Sequence, residues 1–380
     1  MRIIILGTAH PYRGGLAAYN MRLARQFITE GNEAEIVTFT LQYPEFLFPG
    51  KTQYTKEPAP EDISIIRRLN SINPFNWIKT GLKIKRLRPD ILLIKYWHPF
   101  MSPCFGTVAR IAKRNKKYKT AVICIFDNVI PHEKSILDRI LTRYFVFSID
   151  GAIIMSRSVG DDLNRFRQNL PTVYTPHPLY DNYGSLIDRK EALGKLNLPY
   201  KFTYLLFFGF IRRYKGLDLL LEALGDRKLH GLQLKLLIAG EFYESETPYR
   251  EQIRNLGLEN VVQLFDRFIN EDEVAIFFSA ADLVVQPYRS ATQSGVTQIA
   301  YHFGKPMLVT DVGGLAEIVS DGVGGYVVKP ESRAITEAIF DFVQNRRSGE
   351  FAQRVIKERE RFTWEKMTAS IFELYRRIIR

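Results

Sequence analysis

Cysteine is nearly absent: Cys104 and Cys124 are the only two in 380 residues. Two cysteines cannot build a disulfide framework or a four-cysteine metal site, so a reduced cytosolic protein is expected. Long apolar runs are missing too. Uncharged apolar stretches such as Tyr204 to Ile211 reach less than half of the roughly 18 residues that a membrane-spanning helix needs. The opening run Met1 to Leu6 is too short for the core of a signal peptide and passes straight into Gly7-Thr8. No His, Cys and Asp cluster has zinc spacing, and there is no Asp-x-Asp pair to bridge a metal to a diphosphate; no metal is expected. The glycine loops lack both Gly-x-Gly-x-x-Gly and a Gly-Lys followed by Ser or Thr. The nicotinamide-dinucleotide and Walker-type readings therefore lose their main support.

What is present is the composition of a globular protein, 46% hydrophobic and 25% charged, long enough for two domains. The net charge of +12 is unevenly spread: residues 1–180 hold 26 Lys and Arg against 14 Asp and Glu, whereas residues 181–380 hold 27 of each. Between Arg67 and Lys119 stand 14 basic residues and one acid, Asp90. Only the first half should attract a polyanion.

Both halves open with the same rhythm. Arg2 to Leu6 is a β-branched apolar run, followed by a loop from Gly7 to Gly15 and a helical pattern through Leu16, Tyr19, Leu23 and Phe27. Tyr204 to Phe208, the loop Gly209 to Gly216, and Leu217, Leu220, Leu221 and Leu224 repeat it. Further short runs alternate with helical stretches. In the first half they are Glu35 to Phe39, Ile91 to Ile94, Ala121 to Phe126, Gly151 to Met155 and Val173 to Thr175. In the second they are Leu234 to Ala239, Val261 to Leu264, Leu283 to Gln286, Met307 to Thr310 and Tyr326 to Val328. This alternation predicts an α/β protein of two Rossmann-like, doubly wound parallel sheets facing a cleft. The joint is expected between Pro176 and Tyr200. The domains are drawn at 1–180 and 181–361, with 362–380 a helix returning to the first domain. Ligands of such sheets bind beyond the carboxyl ends of the strands, where both glycine loops lie.

Several segments there have the right chemistry. In Gly209-Phe-Ile-Arg-Arg-Tyr-Lys-Gly216, free amides at a strand-to-helix turn combine with Arg212, Arg213 and Lys215 to suit a phosphate, although a solvated basic turn has the same composition. Gly14-Gly15 permits close backbone approach of a ligand, or is a plain tight turn. Gln293-Ser294-Gly295-Val296-Thr297-Gln298 opens a helix, with Ser-Gly as a cap or an anion seat. Gly313-Gly314 precedes Glu317, which at the least stabilises a helix start. His98, in Lys95-Tyr-Trp-His-Pro99, and His132-Glu133, after Asp127-Asn128, follow successive strands.

Together these segments, with Ile238-Ala239-Gly240-Glu241, Ala280 to Tyr288 and Gly304-Lys305-Pro306, resemble glycosyltransferase family 4, a retaining family with the GT-B fold. The resemblance spans nearly the whole chain and rests on the order and spacing of the fragments. It implies a hexosyl transferase that needs no metal or other cofactor. The second domain would hold a nucleotide-diphosphate sugar and the first a glycan or lipid-linked acceptor, in cell-surface polysaccharide or lipopolysaccharide assembly. Arg212 and Lys215, with Arg213, would neutralise the leaving diphosphate, and Ser294 and Gly295 would offer helix amides. Gly209 and Glu241 belong to the same donor site, Gly14 and Gly15 would close the donor from the first domain, and His98 would lie near the donor sugar. Asp127, Asn128, His132 and Glu133 fall on the acceptor side. Three departures stand out. The family's spaced glutamate pair is absent around Ser294, where Gln293 and Gln298 offer amides instead. Phe210 replaces a common arginine, and Asp127 replaces a histidine.

The basic first domain adds one expectation. Asn76 to Arg88 mixes Trp77, Ile78, Leu82 and Leu87 with Lys79, Lys83, Lys85, Arg86 and Arg88, a composition that suits an anionic membrane surface or an ordinary covering helix. The expected location is cytoplasmic, peripheral on the inner membrane face. Nucleic acid is disfavoured, because no recognised binding module is present. The rival readings are a nucleotide-sugar epimerase or phosphorylase on the same scaffold, and a catalytically silent polyanion- or membrane-binding protein.

Overall fold

Each apolar run named above falls on a strand, and every strand pairs in parallel. The computed structural model describes residues 1–44, 52–55, 57–114, 118–129, 136–291 and 294–380. In chain order the first elements are β1 (Arg2–Leu6), α1 (Gly15–Thr29), β2 (Glu33–Leu41), β3 (Ser64–Asn70), α2 (Pro74–Leu87) and β4 (Ile91–Tyr96). Then come α3 (Ser102–Lys113), β5 (Ala121–Phe126), α4 (Ile136–Val146), β6 (Gly151–Ile154), α5 (Arg157–Asn164) and β7 (Thr172–Tyr174). The next series is α6 (Arg189–Lys195), β8 (Thr203–Phe208), α7 (Leu217–Leu224), β9 (Leu234–Ala239), α8 (Thr247–Asn255), β10 (Val262–Phe265), α9 (Glu271–Ala280) and β11 (Leu283–Gln286). The last are α10 (Gly295–His302), β12 (Met307–Thr310), α11 (Leu315–Ile318), β13 (Gly325–Val328), α12 (Ser332–Gln344), α13 (Ser348–Glu358) and α14 (Trp364–Ile379).

Two compact units result: Met1–His177 together with Trp364–Arg380, and Pro178–Thr363. The chain passes from the first unit to the second after His177 and returns after Thr363.

The first unit is built on a seven-stranded sheet ordered β3-β2-β1-β4-β5-β6-β7. Right-handed crossovers put α2, α3 and α4 on one face, because β3→β4→β5→β6 all run in the same direction across the sheet. The opposite face carries α1 and α14. Alternate side chains serve the two cores: Leu92, Ile94, Val122 and Cys124 meet Phe105 and Phe145, while Ile3, Ile5, Leu93 and Ile123 meet Phe27, Trp364 and Ile371. Trp364, Met367, Ile371 and Leu374 of α14 are all buried, at about 1.5–3 kcal/mol for each large apolar side chain. Gly151 lets this helix approach, since a Cβ there would stand 2.8 Å from the Ile378 Cδ1.

One strand was not read from the sequence. Ser64-Ile-Ile-Arg-Arg-Leu-Asn70 forms β3 at the sheet edge, where Arg67 lies exposed beside buried Leu69. An edge strand has only one neighbour and keeps charges on its open side, so it does not show the continuous apolar run of a central parallel strand.

The second unit has a six-stranded sheet ordered β10-β9-β8-β11-β12-β13. Leu205, Phe207, Leu236 and Ile238 pack on one face with the leucines of α7, and Tyr204, Leu206, Leu237 and Ala239 on the other with Phe277 and Ile299. In each sheet the order reverses once, between β1 and β4 and between β8 and β11. Chain segments diverge at such a switch point and leave space for a ligand beyond the carboxyl ends.

Candidate functional site

The second unit's switch point is flanked by the loop after β8 and the start of α10. Gly209 leaves β8 with φ +90°, and its amide donates to the Ala239 carbonyl at 2.9 Å. The Ile211 amide donates to the Glu241 carbonyl at 2.9 Å, and the Tyr243 amide to Ile211 at 3.1 Å. This ties the loop to the segment after β9. A single tight turn over Arg213–Lys215 then ends at Gly216, whose φ is +67°. A Cβ at Gly216 would sit 2.0 Å from the Pro287 carbonyl oxygen, so both conformation and space demand glycine there.

The turn separates three cations that look alike in the sequence. Arg212 and Arg213 are exposed, with the Arg212 guanidinium carbon 4.9 Å from the Tyr243 ring. Lys215 is folded inward and only 9% exposed. Its ammonium lies 5.7 Å from the Tyr288 ring centre and 3.3 Å from where a Gly209 side chain would begin. No carboxylate or carbonyl among the described residues accepts from it. Burial, and secondarily the charge of Arg212, lower its pKa to about 8.

The first turn of α10 adjoins the same place, with Val296 Cγ2 3.8 Å from that Gly209 position. Ser294 precedes the helix in extended conformation and makes no side-chain cap; its Oγ is 3.4 Å from the Tyr288 hydroxyl. The helix's first amides are therefore not taken by a serine cap, and its positive dipole end lies close to the Lys215 ammonium. Two like charges brought this close, with no carboxylate between them among the described residues, have the electrostatics that suit an anion. Glu241 is half-buried at the end of β9. Gln298 is fully buried, and neither of its amide atoms has a hydrogen-bond partner among the described residues. Gln293 lies outside those residues.

The first unit's switch point carries Gly14 and His98. Gly14 precedes α1 with φ +101°, its carbonyl accepts from Ala17 and Ala18, and nothing lies within 4 Å of where a Cβ would be. Gly15 beside it is exposed. The His98 Nδ1 accepts from the Phe100 amide at 3.1 Å and caps the turn Pro99–Met101, which leaves Nε2 as the outward nitrogen. Partial burial lowers its pKa.

Beyond β5, Asp127 pairs with Lys95, Nζ to Oδ1 2.7 Å. Lys95 is 1% exposed, and its ammonium stands 3.6 Å over the Tyr19 ring. Burial lowers its pKa and Asp127 opposes the shift. The sequence reading passed over Lys95; the available signal was one cation in the otherwise apolar strand Ile91 to Tyr96. Asn128 follows, half-buried, and His132 and Glu133 lie outside the described residues. Among the described residues, no group of three or more His, Cys, Asp or Glu is placed to hold a metal ion, and no helix is long and apolar enough to cross a membrane.

Comparison with known proteins gives a family match over part of the chain and a shared fold over nearly all of it. Residues 188–362 match the family described as "Glycosyl transferases group 1". The O-antigen chain mannosyltransferase C of Escherichia coli is 25% identical to this chain over 95% of it and 94% of its own length. Among solved structures, Anabaena HepE in complex with UDP and glucose superposes with a TM-score of 0.71 at 18% identity, covering 98% of this chain and 99% of that one. The lipopolysaccharide outer core galactosyltransferase WaaB gives 0.72 at 13% identity, over 98% and 99%. The fold is GT-B, two Rossmann-like α/β units, and the family match lies on the second of them.

Proposed function

We propose that the protein transfers a hexose, with retention of configuration, from a nucleotide-diphosphate sugar to a glycan or lipid-linked acceptor in cell-surface polysaccharide or lipopolysaccharide assembly. The observation that carries this reading is Lys215: a buried ammonium that meets no carboxylate among the described residues, beside the amino end of α10. An isolated buried charge is costly, and a diphosphate would complete it. Arg212 and Arg213, at the mouth of the same loop, are free to close on the outer phosphate oxygens.

Charge develops on the leaving diphosphate as the bond from the sugar's anomeric carbon to the phosphate oxygen breaks. Fixed ammonium, guanidinium and amide groups stabilise that charge without reorganising, and no metal enters the proposal. The acceptor hydroxyl attacks from the same face as the leaving group. Its oxygen bonds to the anomeric carbon and its proton passes to the departing phosphate oxygen, so no side chain serves as nucleophile. Gln293 and Gln298 take the place of the missing glutamate pair as hydrogen-bonding amides. The two orphaned amide atoms of Gln298 are in keeping with that role. On the acceptor side stand Asp127, held by Lys95, and Asn128. The likeness to an O-antigen mannosyltransferase and to a lipopolysaccharide galactosyltransferase supports the setting.

The test is thermal unfolding with UDP, GDP, ADP and their sugar conjugates, with chelator present. A nucleotide at 100 times its dissociation constant stabilises by about 2.7 kcal/mol, a readable shift. A shift with one base, unaffected by chelator and followed by transfer to an added acceptor, is the expected result. Turnover without transfer would favour an epimerase or phosphorylase, and no shift with any nucleotide would favour a silent polyanion-binding protein.

A further inference from the structure

We propose that the carboxyl edge of the first unit carries an aromatic shelf that seats a pyranose ring of the acceptor. Six rings from distant parts of the sequence form one connected band there. Phe39 lies in β2, Tyr12 follows β1, Tyr43 follows β2, Trp97 and Phe100 follow β4, and Tyr54 belongs to the segment 52–55. The Tyr54 ring is laid on Tyr12 at 5.2 Å, Tyr12 meets Phe39 edge to face at 6.3 Å, and Phe39 meets Trp97 at 6.3 Å. The Trp97 Nε1 donates to the Tyr43 hydroxyl at 2.8 Å, and Tyr43 stacks on Phe100 at 5.5 Å. Because β2, β1 and β4 are neighbours in the sheet, the band crosses three adjacent strand ends.

Tyr12 and Phe39 are buried and belong to the core. The other four rings are reached by solvent: Tyr43, Trp97 and Phe100 are half-buried, and Tyr54 is 42% exposed. Backbone hydrogen bonds fix Tyr54 in place. The Arg13 amide donates to the Gln53 carbonyl at 3.0 Å and the Thr55 amide to the Pro11 carbonyl at 2.9 Å, which straps the segment to the loop leading to Gly14. A ring held this way is ordered before a ligand arrives, so binding on it costs little further entropy.

One polar group selects the ligand. Gln53 is 9% exposed; its Nε2 donates to the Tyr43 carbonyl at 3.0 Å, and its Oε1 has no partner among the described residues. Buried amide oxygens are nearly always satisfied, so this one, set between Tyr43 and Tyr54, calls for a donor from outside. A pyranose supplies both parts: a face of C–H bonds for the rings and hydroxyls at its rim for the amide oxygen. An alkyl chain would leave Gln53 unpaired, and a phosphate, itself an acceptor, would be repelled by it.

Position adds a consequence. The Phe100 amide donates to the His98 Nδ1 at 3.1 Å, so one turn holds both the shelf and His98. Asp127 follows β5, the next strand of the sheet. Resting on the proposed transferase activity, the ring on the shelf is the acceptor's, and the acceptor ends in a sugar whether or not a lipid is attached further along.

Saturation-transfer NMR of the full chain with methyl glycosides of glucose, galactose, mannose and N-acetylglucosamine, without nucleotide, tests the shelf. At least one glycoside should receive saturation on its ring protons. Tyr54→Ala and, separately, Phe100→Leu should each lower its affinity by about tenfold, the loss of one aromatic contact. Tyr54 is exposed and leucine keeps the apolar bulk at position 100, so thermal unfolding of both should follow the parent. Tyr200→Ala, at an exposed ring of the second unit, should bind as the parent does. The proposal is overturned if no glycoside binds, if either shelf variant binds as well as the parent, or if uridine rather than a glycoside is the ligand those variants lose. Glycoside binding needs no nucleotide. A chain that binds a glycoside yet shows no nucleotide-induced thermal shift would sink the transferase proposal and leave the shelf standing; the reverse pair of results would do the opposite.

Discussion

The Lys95 ammonium is held between the Asp127 carboxylate at 2.7 Å and the Tyr19 ring at 3.6 Å, buried at the carboxyl ends of β4 and β5. The pair fixes Asp127 at the edge proposed for the acceptor. Breaking a buried pair from one side leaves an uncompensated charge, so Lys95→Met should cost about 3–5 kcal/mol. Adding Asp127→Asn to Lys95→Met should recover much of that loss. Denaturant unfolding of the two singles and the double measures the coupling, and additive losses would show that the two groups are independent.

Lys215→Met should have effects of opposite sign with and without ligand. It removes a buried charge that nothing among the described residues compensates, so the ligand-free protein should unfold at a higher temperature. It also removes a charge-assisted contact to the diphosphate, and nucleotide affinity should fall by about tenfold or more, from roughly 1.5–3 kcal/mol. Calorimetric titration and unfolding scans on one preparation read both, and loss of stability with unchanged affinity would contradict the assignment.

The same lysine predicts a pH dependence. Its pKa is about 8 when folded against an ordinary 10.5. Between those values the unfolded chain holds a proton that the folded chain lacks, so its contribution to stability rises with pH across that window, and below about 8 the desolvation penalty is present in full. Nucleotide binding needs the protonated form and should weaken as pH climbs through about 8. Titrations at about pH 7 and about pH 9.5 should differ several-fold, and Lys215→Arg should flatten the difference. A flat parent profile would exclude a titrating contact.

Two glycines should respond differently. Gly216→Ala drives a methyl into the Pro287 carbonyl in a left-handed conformation and should cost more than about 3 kcal/mol. Gly14→Ala has open space and bears only the conformational penalty at φ +101°, about 1–3 kcal/mol. Unfolding midpoints of the two variants should therefore be well separated.

His98 has a cap to keep besides any role near the sugar. Asparagine caps as well as histidine does, so His98→Asn should unfold like the parent, whereas His98→Ala should lose about 1 kcal/mol. If the outward Nε2 serves the transfer, both variants lose activity. Full activity in His98→Asn would reduce the residue to its cap.

The elements that could be read from the sequence share one property. β4 and β5 are covered on both faces and appear as apolar runs, interrupted in β4 by Lys95, and the loops after β1 and β8 are marked by glycines that the backbone requires at 14, 209 and 216. β3 is an edge strand bearing Arg67 and Arg68, so its pattern carries no such run. Arg212, Arg213 and Lys215 were legible as a group of cations, but not as two exposed arginines and one buried lysine.

The sequence by itself determined two parallel α/β units and the loops at their carboxyl edges, because strand burial and positive φ leave their mark on each residue locally. Only the tertiary structure decided which charge is desolvated, that Lys95 and Asp127 from neighbouring strands meet, and that the Tyr54 ring is laid on Tyr12. Burial and pairing are properties of what folds against a residue, and a chain read one position at a time does not contain them.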